Sequence, residues 1–104
     1  MSADVIRELQ TAIRTGKVVL GYRRTLKELV NDRAKLVVVV AKNAPSHIVE
    51  ELKYYASLSQ TPILVFEGSS RELGAACRKP FMVSALAVLD PGESNILHMI
   101  RGEG

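Results

Sequence analysis

Three cations, Arg23, Arg24 and Lys27, fall within five residues just after Gly21, where the apolar run Val18-Val19-Leu20 gives way to a helix-like segment. The first turn of a helix has unpaired N–H groups and a partial positive charge. Cations placed there oppose the helix's own dipole, so the arrangement points to an anion supplied from outside, with phosphate the natural partner. A solvated basic turn accounts for the same spacing. Lys42-Asn43 follows a second apolar run, and Arg78-Lys79-Pro80-Phe81 precedes a fourth. Cations neutralise phosphates, an amide such as Asn43 can read a base edge, and an aromatic such as Phe81 can stack on an unpaired base. Phe81 is equally suited to a core, but Pro80 fixes the backbone before it and fits a rigid presenting turn better.

Residues for bond-making chemistry are sparse. His47 and His98 stand alone and read as surface or capping histidines. Cys77 follows small residues and reads as a structural thiol, although Arg78 and Lys79 beside it would lower its pKa. No Gly-x-Ser-x-Gly elbow and no Gly-x-x-x-x-Gly-Lys loop occurs, which weakens hydrolase and nucleotidase readings. Gly68-Ser69-Ser70 is open to an anion nest, but a helix cap explains it more simply. Glu50-Glu51 and Glu67 have no recognisable acid/base partner. No catalytic residue, metal site or cofactor is therefore expected.

The elements that must position these residues fit a single domain, residues 1–104, with 47% hydrophobic and 24% charged residues as in ordinary globular chains. Net charge is +3 and the sequence pI about 9.2, a mild excess whose clustering matters more than its size. No apolar run approaches the roughly 20 residues of a membrane helix, and Met1-Ser2-Ala3-Asp4-Val5 lacks a signal pattern, so neither a membrane partner nor export is expected. One cysteine allows no internal disulfide, and a cytosolic chain fits best.

Val5, Ile6, Leu9, Ala12 and Ile13 recur at helical spacing after Ser2 or Asp4 as cap, and Gly16 stands where a left-handed C-cap belongs. Lys17–Leu20 reads as a first strand. A second helix reaches Val30, with Leu26, Leu29 and Val30 inward; Thr25-x-x-Glu28 reads as its capping box, though Gly21 could start it earlier. Leu36–Ala41, largely β-branched, predicts a strand buried on both faces. Pro45 marks a third helix with Ile48, Leu52, Tyr55, Ala56 and Ser59 inward. Ile63–Phe66 is a third strand, Ser69-x-x-Glu72 caps a short helix through about Ala76, and Val83–Leu89 is a fourth strand. Asp90-Pro91-Gly92-Glu93 is a turn with proline and glycine placed as in type II, and Ile96–Ile100 is a short strand or helical turn. Alternation of helix and strand predicts an α/β fold, a three-layer α/β/α sandwich. If the first two strands run parallel and the fourth antiparallel to them, the loops at Gly21, Lys42-Asn43 and Lys79-Phe81 share one edge of the sheet, where ligands of open α/β sheets sit.

Leu20-Gly21-Tyr22-Arg23-Arg24-Thr25, Glu51-Leu52-Lys53-Tyr54-Tyr55-Ala56, Glu72-Leu73-Gly74, Lys79-Pro80-Phe81 and Asp90-Pro91-Gly92-Glu93-Ser94 resemble, in order and over nearly the whole chain, the archaeal and eukaryotic large-subunit ribosomal protein "L-thirty-e" family. The resemblance implies a mixed four-stranded sheet and membership of the kink-turn RNA-binding superfamily. It implies that ribosomal RNA is held at a kinked internal loop by Gly21, Arg23, Arg24 and Lys27, by Asn43, and by Lys79, Phe81 and Val83. It also implies a cytoplasmic, ribosomal protein, a monomer when free, with neighbouring ribosomal proteins as further partners.

The superfamily's guide-RNA branch carries Asn-Glu where this chain has Arg23-Arg24, the Glu reading a bulged guanine. A guanidinium only donates hydrogen bonds, so Arg24 cannot take that role and the ribosomal branch is favoured. Met82 replaces a basic residue of some relatives, removing one phosphate contact. The alternatives are a stand-alone kink-turn protein of a guide-RNA particle and, in a different class, a small-molecule enzyme on the same scaffold.

Overall fold

Leu36–Val40 is a five-residue strand in which every residue is buried, the outcome its β-branched run dictates. Around it, the computed structural model describes residues 3–42 and 46–101. The elements are α1 (Ala3–Thr15), β1 (Lys17–Leu20), α2 (Tyr22–Val30), β2 (Leu36–Val40), α3 (Ser46–Ser59), β3 (Ile63–Phe66), α4 (Ser70–Ala76), β4 (Ala85–Asp90) and α5 (Ile96–Arg101). Ser2, Asn43 and Pro45, which figure in the sequence reading, lie outside the described residues.

The four strands lie in the order β1-β4-β2-β3. β4 pairs antiparallel with both β1 and β2, so those two run the same way with β4 between them, and β3 is parallel to β2. The sheet is mixed, as expected. Alternation along the strands splits the core in two. Leu36, Val38, Val40, Leu86 and Val88 face a layer with Leu9, Leu73, Cys77 and Ile96 from α1, the α4 region and α5. Val37, Val39, Ala85 and Ala87 face Leu29, Leu52 and Ala56 from α2 and α3. Helices thus cover both faces, giving the three-layer sandwich.

Several local expectations are corrected. Asp4 sits inside α1 and pairs with Arg7 at 2.9 Å instead of capping the helix. Thr25 does not cap α2: the N-cap is Gly21, without any side-chain cap, and Thr25 is wholly buried. Val30, expected inward, is 59% exposed. At about 100° per residue the buried face of α2 centres on Tyr22, Thr25 and Leu29, and Val30 lies roughly 105° away from that centre. The fourth strand begins at Ala85, with Val83 and Ser84 in the approach to it; of the two readings left open for the tail, the helical one holds. Ser69 does form a reciprocal capping box with Glu72 at the start of α4.

Gly16 is not a left-handed cap; a Cβ there would lie 2.1 Å from the Asp90 carbonyl oxygen, so glycine is needed for close approach. The left-handed residues after helices are instead Asp32, Gln60 and Arg78, at φ 56°, 56° and 61°. Each follows a helix with the paired bonds of a Schellman end: Asp32 to Leu29 and Arg33 to Glu28, Gln60 to Ser57 and Thr61 to Ala56, Arg78 to Ala75 and Lys79 to Gly74. At the far end of the sheet, Glu8 Oε1 accepts from the Asn95 N–H at 2.8 Å and Thr15 Oγ1 from the Glu93 N–H at 2.9 Å, tying α1 to the start of α5.

Candidate nucleic-acid interface

Because β1 and β2 run together and β4 opposes them, the C-terminal ends of the first two meet the beginning of the third. The Gly21 N–H donates to the Ala85 carbonyl at 2.8 Å, and the Val40 N–H to the Ser84 carbonyl at 3.0 Å. From the end of β3 and the turn after it, the Phe66 and Gly68 carbonyls accept from Ala41 and Lys42. The Val83 N–H bonds the Ser70 carbonyl at 3.0 Å, and the Ser70 and Ser84 hydroxyls are 2.8 Å apart. These bonds place Gly21, Lys42, the start of α4 and the segment leading into β4 along one rim.

Gly21 has φ 106° and ψ 151°, a backbone state open essentially to glycine alone. A Cβ built on it meets nothing within 4 Å. The residue therefore presents bare backbone to open space at the start of an uncapped helix. Arg23 and Arg24 occupy the first turn of α2, which holds no acidic residue, and both are exposed. Lys27 falls instead in the last turn, where a cation suits the dipole, so the opposition seen in the sequence belongs to the two arginines. By helical period the three cations lie within about 100° of one another on the face opposite the buried stripe. Among the described residues none of them has an ion-pair partner; the pairs formed there are Arg7–Asp4 and Arg33–Glu28. Tyr22 turns the other way and its hydroxyl bonds Glu51 of α3. That bond, with some desolvation, raises the phenol above the ordinary tyrosine value.

On the other side of the rim, Phe81 is 54% exposed and Met82 70%. Gly74 sets their position: a Cβ there would stand 2.0 Å from the Phe81 carbonyl oxygen, so this loop lies directly against α4. Lys79, Pro80, Phe81 and Met82 form with Arg71 and Ala75 an open groove of about 390 Å³. Arg71 joins this surface without any signal in the sequence beyond its charge, because only the fold of the loop onto α4 brings it near Phe81. Val83 is the exception among the expected contacts. It is 2% exposed and packed with Leu73, Cys77 and Leu86, so its side chain is turned into the core. Cys77 is also buried, and burial pushes its thiol up to about 11, outweighing the nearby Lys79 that lowers it. Ser69 serves as a helix cap, as the simpler reading had it.

Among the described residues no helix is long and apolar enough to cross a membrane. Comparison with known proteins places the architecture and the sequence. A solved structure of a protein with unknown function from Bacillus halodurans C superposes with a TM-score of 0.80 over 95% of this chain and 97% of that one, at 24% identity, which speaks for the fold alone. The large ribosomal subunit protein eL30 of Pyrobaculum calidifontis is 52% identical over 98 residues, covering 94% of this chain and 96% of the relative. The eL30 protein of Methanothermobacter thermautotrophicus is 46% identical over 97 residues, 93% of this chain and 98% of its own. That of Methanocaldococcus jannaschii is 48% identical over 98 residues, 94% and 88% respectively. A family model spans residues 3–98. With that model covering nearly the whole chain, the protein belongs to the ribosomal protein L7Ae/L30e/S12e/Gadd45 family.

Proposed function

We propose that the protein is a structural, non-catalytic constituent of the large ribosomal subunit in the cytoplasm, and that its rim holds ribosomal RNA at a kinked internal loop. The observation that carries the reading is the rim's composition. Exposed cations without ion-pair partners among the described residues stand beside the bare backbone of Gly21 on one side, and an exposed aromatic stands on a proline-fixed loop on the other. The near full-length likeness to relatives named eL30 gives that rim its ribosomal setting.

A sharp bend in RNA crowds phosphates and splays bases. Arg23, Arg24, Lys27 and Lys79 offset the crowding, the Gly21 backbone admits the strand closely, Phe81 stacks on an unpaired base, and Asn43 reads a base edge. Val83 contributes by holding the loop down, through its backbone bond to Ser70 and its buried side chain. Arg23-Arg24 favours this over a guide-RNA protein, since neither side chain accepts a hydrogen bond from guanine. Free of RNA, the protein is a monomer in this reading.

The test is a titration of a ribosomal kinked internal loop against a fully paired duplex of equal length across a salt series. Preference for the kinked loop is expected, with a log–log salt slope of about 3 for four phosphate contacts. Replacing Arg23 and Lys27 by Ala should lower that slope by about 1.5. Equal affinity for both RNAs, or affinity flat with salt, would overturn the reading.

A further inference from the structure

Outside the rim, a second group of cations converges where α1 meets α4. A cleft of about 230 Å³ is lined by Gln10, Ile13, Arg14, Cys77, Arg78 and Lys79, with no carboxylate among them. Gln10 builds the junction by donating to the Ala76 carbonyl at 2.8 Å. Arg14 stands one turn further along the same face of α1, and Arg78 is directed by its left-handed backbone, φ 61°. Arg14, Arg78 and Lys79 are all exposed, and none belongs to the ion pairs formed among the described residues.

Lys79 also lines the groove beside Phe81, so the two basic surfaces share one residue and form a continuous track. The seven-residue α4 starts at the rim, where Ser70 accepts from Val83, and ends beside Arg78. Its length is about 10 Å.

We propose that this cleft is a second RNA-contact site, taking backbone phosphates of the strand that leaves the rim, so that the protein fixes the direction of the helical arm as well as the bend. The proposal rests on the rim binding RNA, and the experiment separates the two. The kinked loop is prepared with a short arm and with that arm extended by one helical turn, and both are titrated with the wild-type chain and with the Arg14→Gln, Arg78→Gln double variant. In the wild type the extended arm should tighten binding about tenfold and steepen the salt slope by about 1.5, the value for two phosphates. The variant should lose both gains, bind the short-armed loop as the wild type does, and melt at the wild-type temperature. Lysine at both positions should retain the gains; their loss there too would trace the effect to packing and overturn the proposal. Absence of any gain from the arm in the wild type, or a gain that survives in the glutamine variant, would also overturn it. Should the wild type fail to bind the short-armed loop, the rim assignment falls, and the cleft is judged on plain duplex RNA. A shallower salt slope for the glutamine variant then supports the cleft, and an unchanged slope overturns it.

Discussion

Truncating Phe81 to Ala separates base stacking from core packing, because the two roles move different measurements. A phenylalanine buries some 150–250 Å² when fully enclosed. At 54% exposure, less than half of that area is covered by the protein itself. At about 25 cal/mol per Å², the covered part amounts to about 3 kcal/mol as a ceiling. The alanine Cβ keeps a share, and the denatured chain already hides some of the ring, so a stability loss of about 1 kcal/mol is expected. A core phenylalanine would instead lose about 3–5 kcal/mol. If the ring stacks on an unpaired base, RNA affinity should fall by roughly 1–3 kcal/mol, about 5- to 150-fold. Thermal unfolding of the free protein and titration with a kinked ribosomal loop measure the two terms independently. A melting temperature lowered by some 12 °C or more, with affinity undiminished in the folded fraction, would refute the reasoning and return Phe81 to the core.

Gly21→Ala should destabilise the protein by about 1–3 kcal/mol through backbone strain alone, since its Cβ meets no neighbour; a synthetic chain with D-alanine there should recover most of the loss in a denaturant melt, and equal losses for both would contradict this account. Thr25 carries a buried hydroxyl without a hydrogen-bond partner, so the near-isosteric Thr25→Val should raise stability by about 1 kcal/mol, visible as a higher urea midpoint; a lower midpoint would show that the hydroxyl is satisfied in solution. Cys77 titrates near 11 in the fold against an ordinary 9.0, so between those values the unfolded chain has released a proton that the folded chain retains. Stability from this group is then fully present below pH 9 and is lost as pH rises toward 11, by on the order of 2 kcal/mol. Cys77→Ala should flatten that part of the pH–stability curve, and an unchanged curve would assign it to other groups.

The parts legible from sequence were those whose cause is local. The unbroken Leu36–Val40 run could only be a strand buried on both faces, and Ser69 with Glu72 carried its own cap. The parts misread were those where a distant segment decides. Thr25-x-x-Glu28 has the spacing of a capping box, yet α2 starts earlier because the Gly21 N–H is held by Ala85, far along the chain. Gly16 looks like a helix stop, but its missing side chain makes room for the Asp90 carbonyl. The true left-handed stops, Asp32, Gln60 and Arg78, are invisible as such because none is glycine. Of the residues singled out for their chemistry, Arg23, Arg24, Lys27, Lys79 and Phe81 are exposed. Val83 was carried in by resemblance alone, and its alternation in the strand approach turns it inward. Arg71 needed the fold.

The position of β4 bears on when this protein can exist during its synthesis. The last strand of the chain lies between the first and second, with Leu20 opposite Leu86 and Leu36 opposite Val88. Until residues 85–90 have left the exit tunnel, β1 has no partner in the sheet, and β2 has only β3. The bond that fixes Gly21 also waits for Ala85. An incomplete chain therefore has neither a closed core nor an ordered rim, however many of its cations have already been made. Completion of β4 and ordering of the rim become a single event, and a chain that stops short of residue 85 lacks the geometry of that rim.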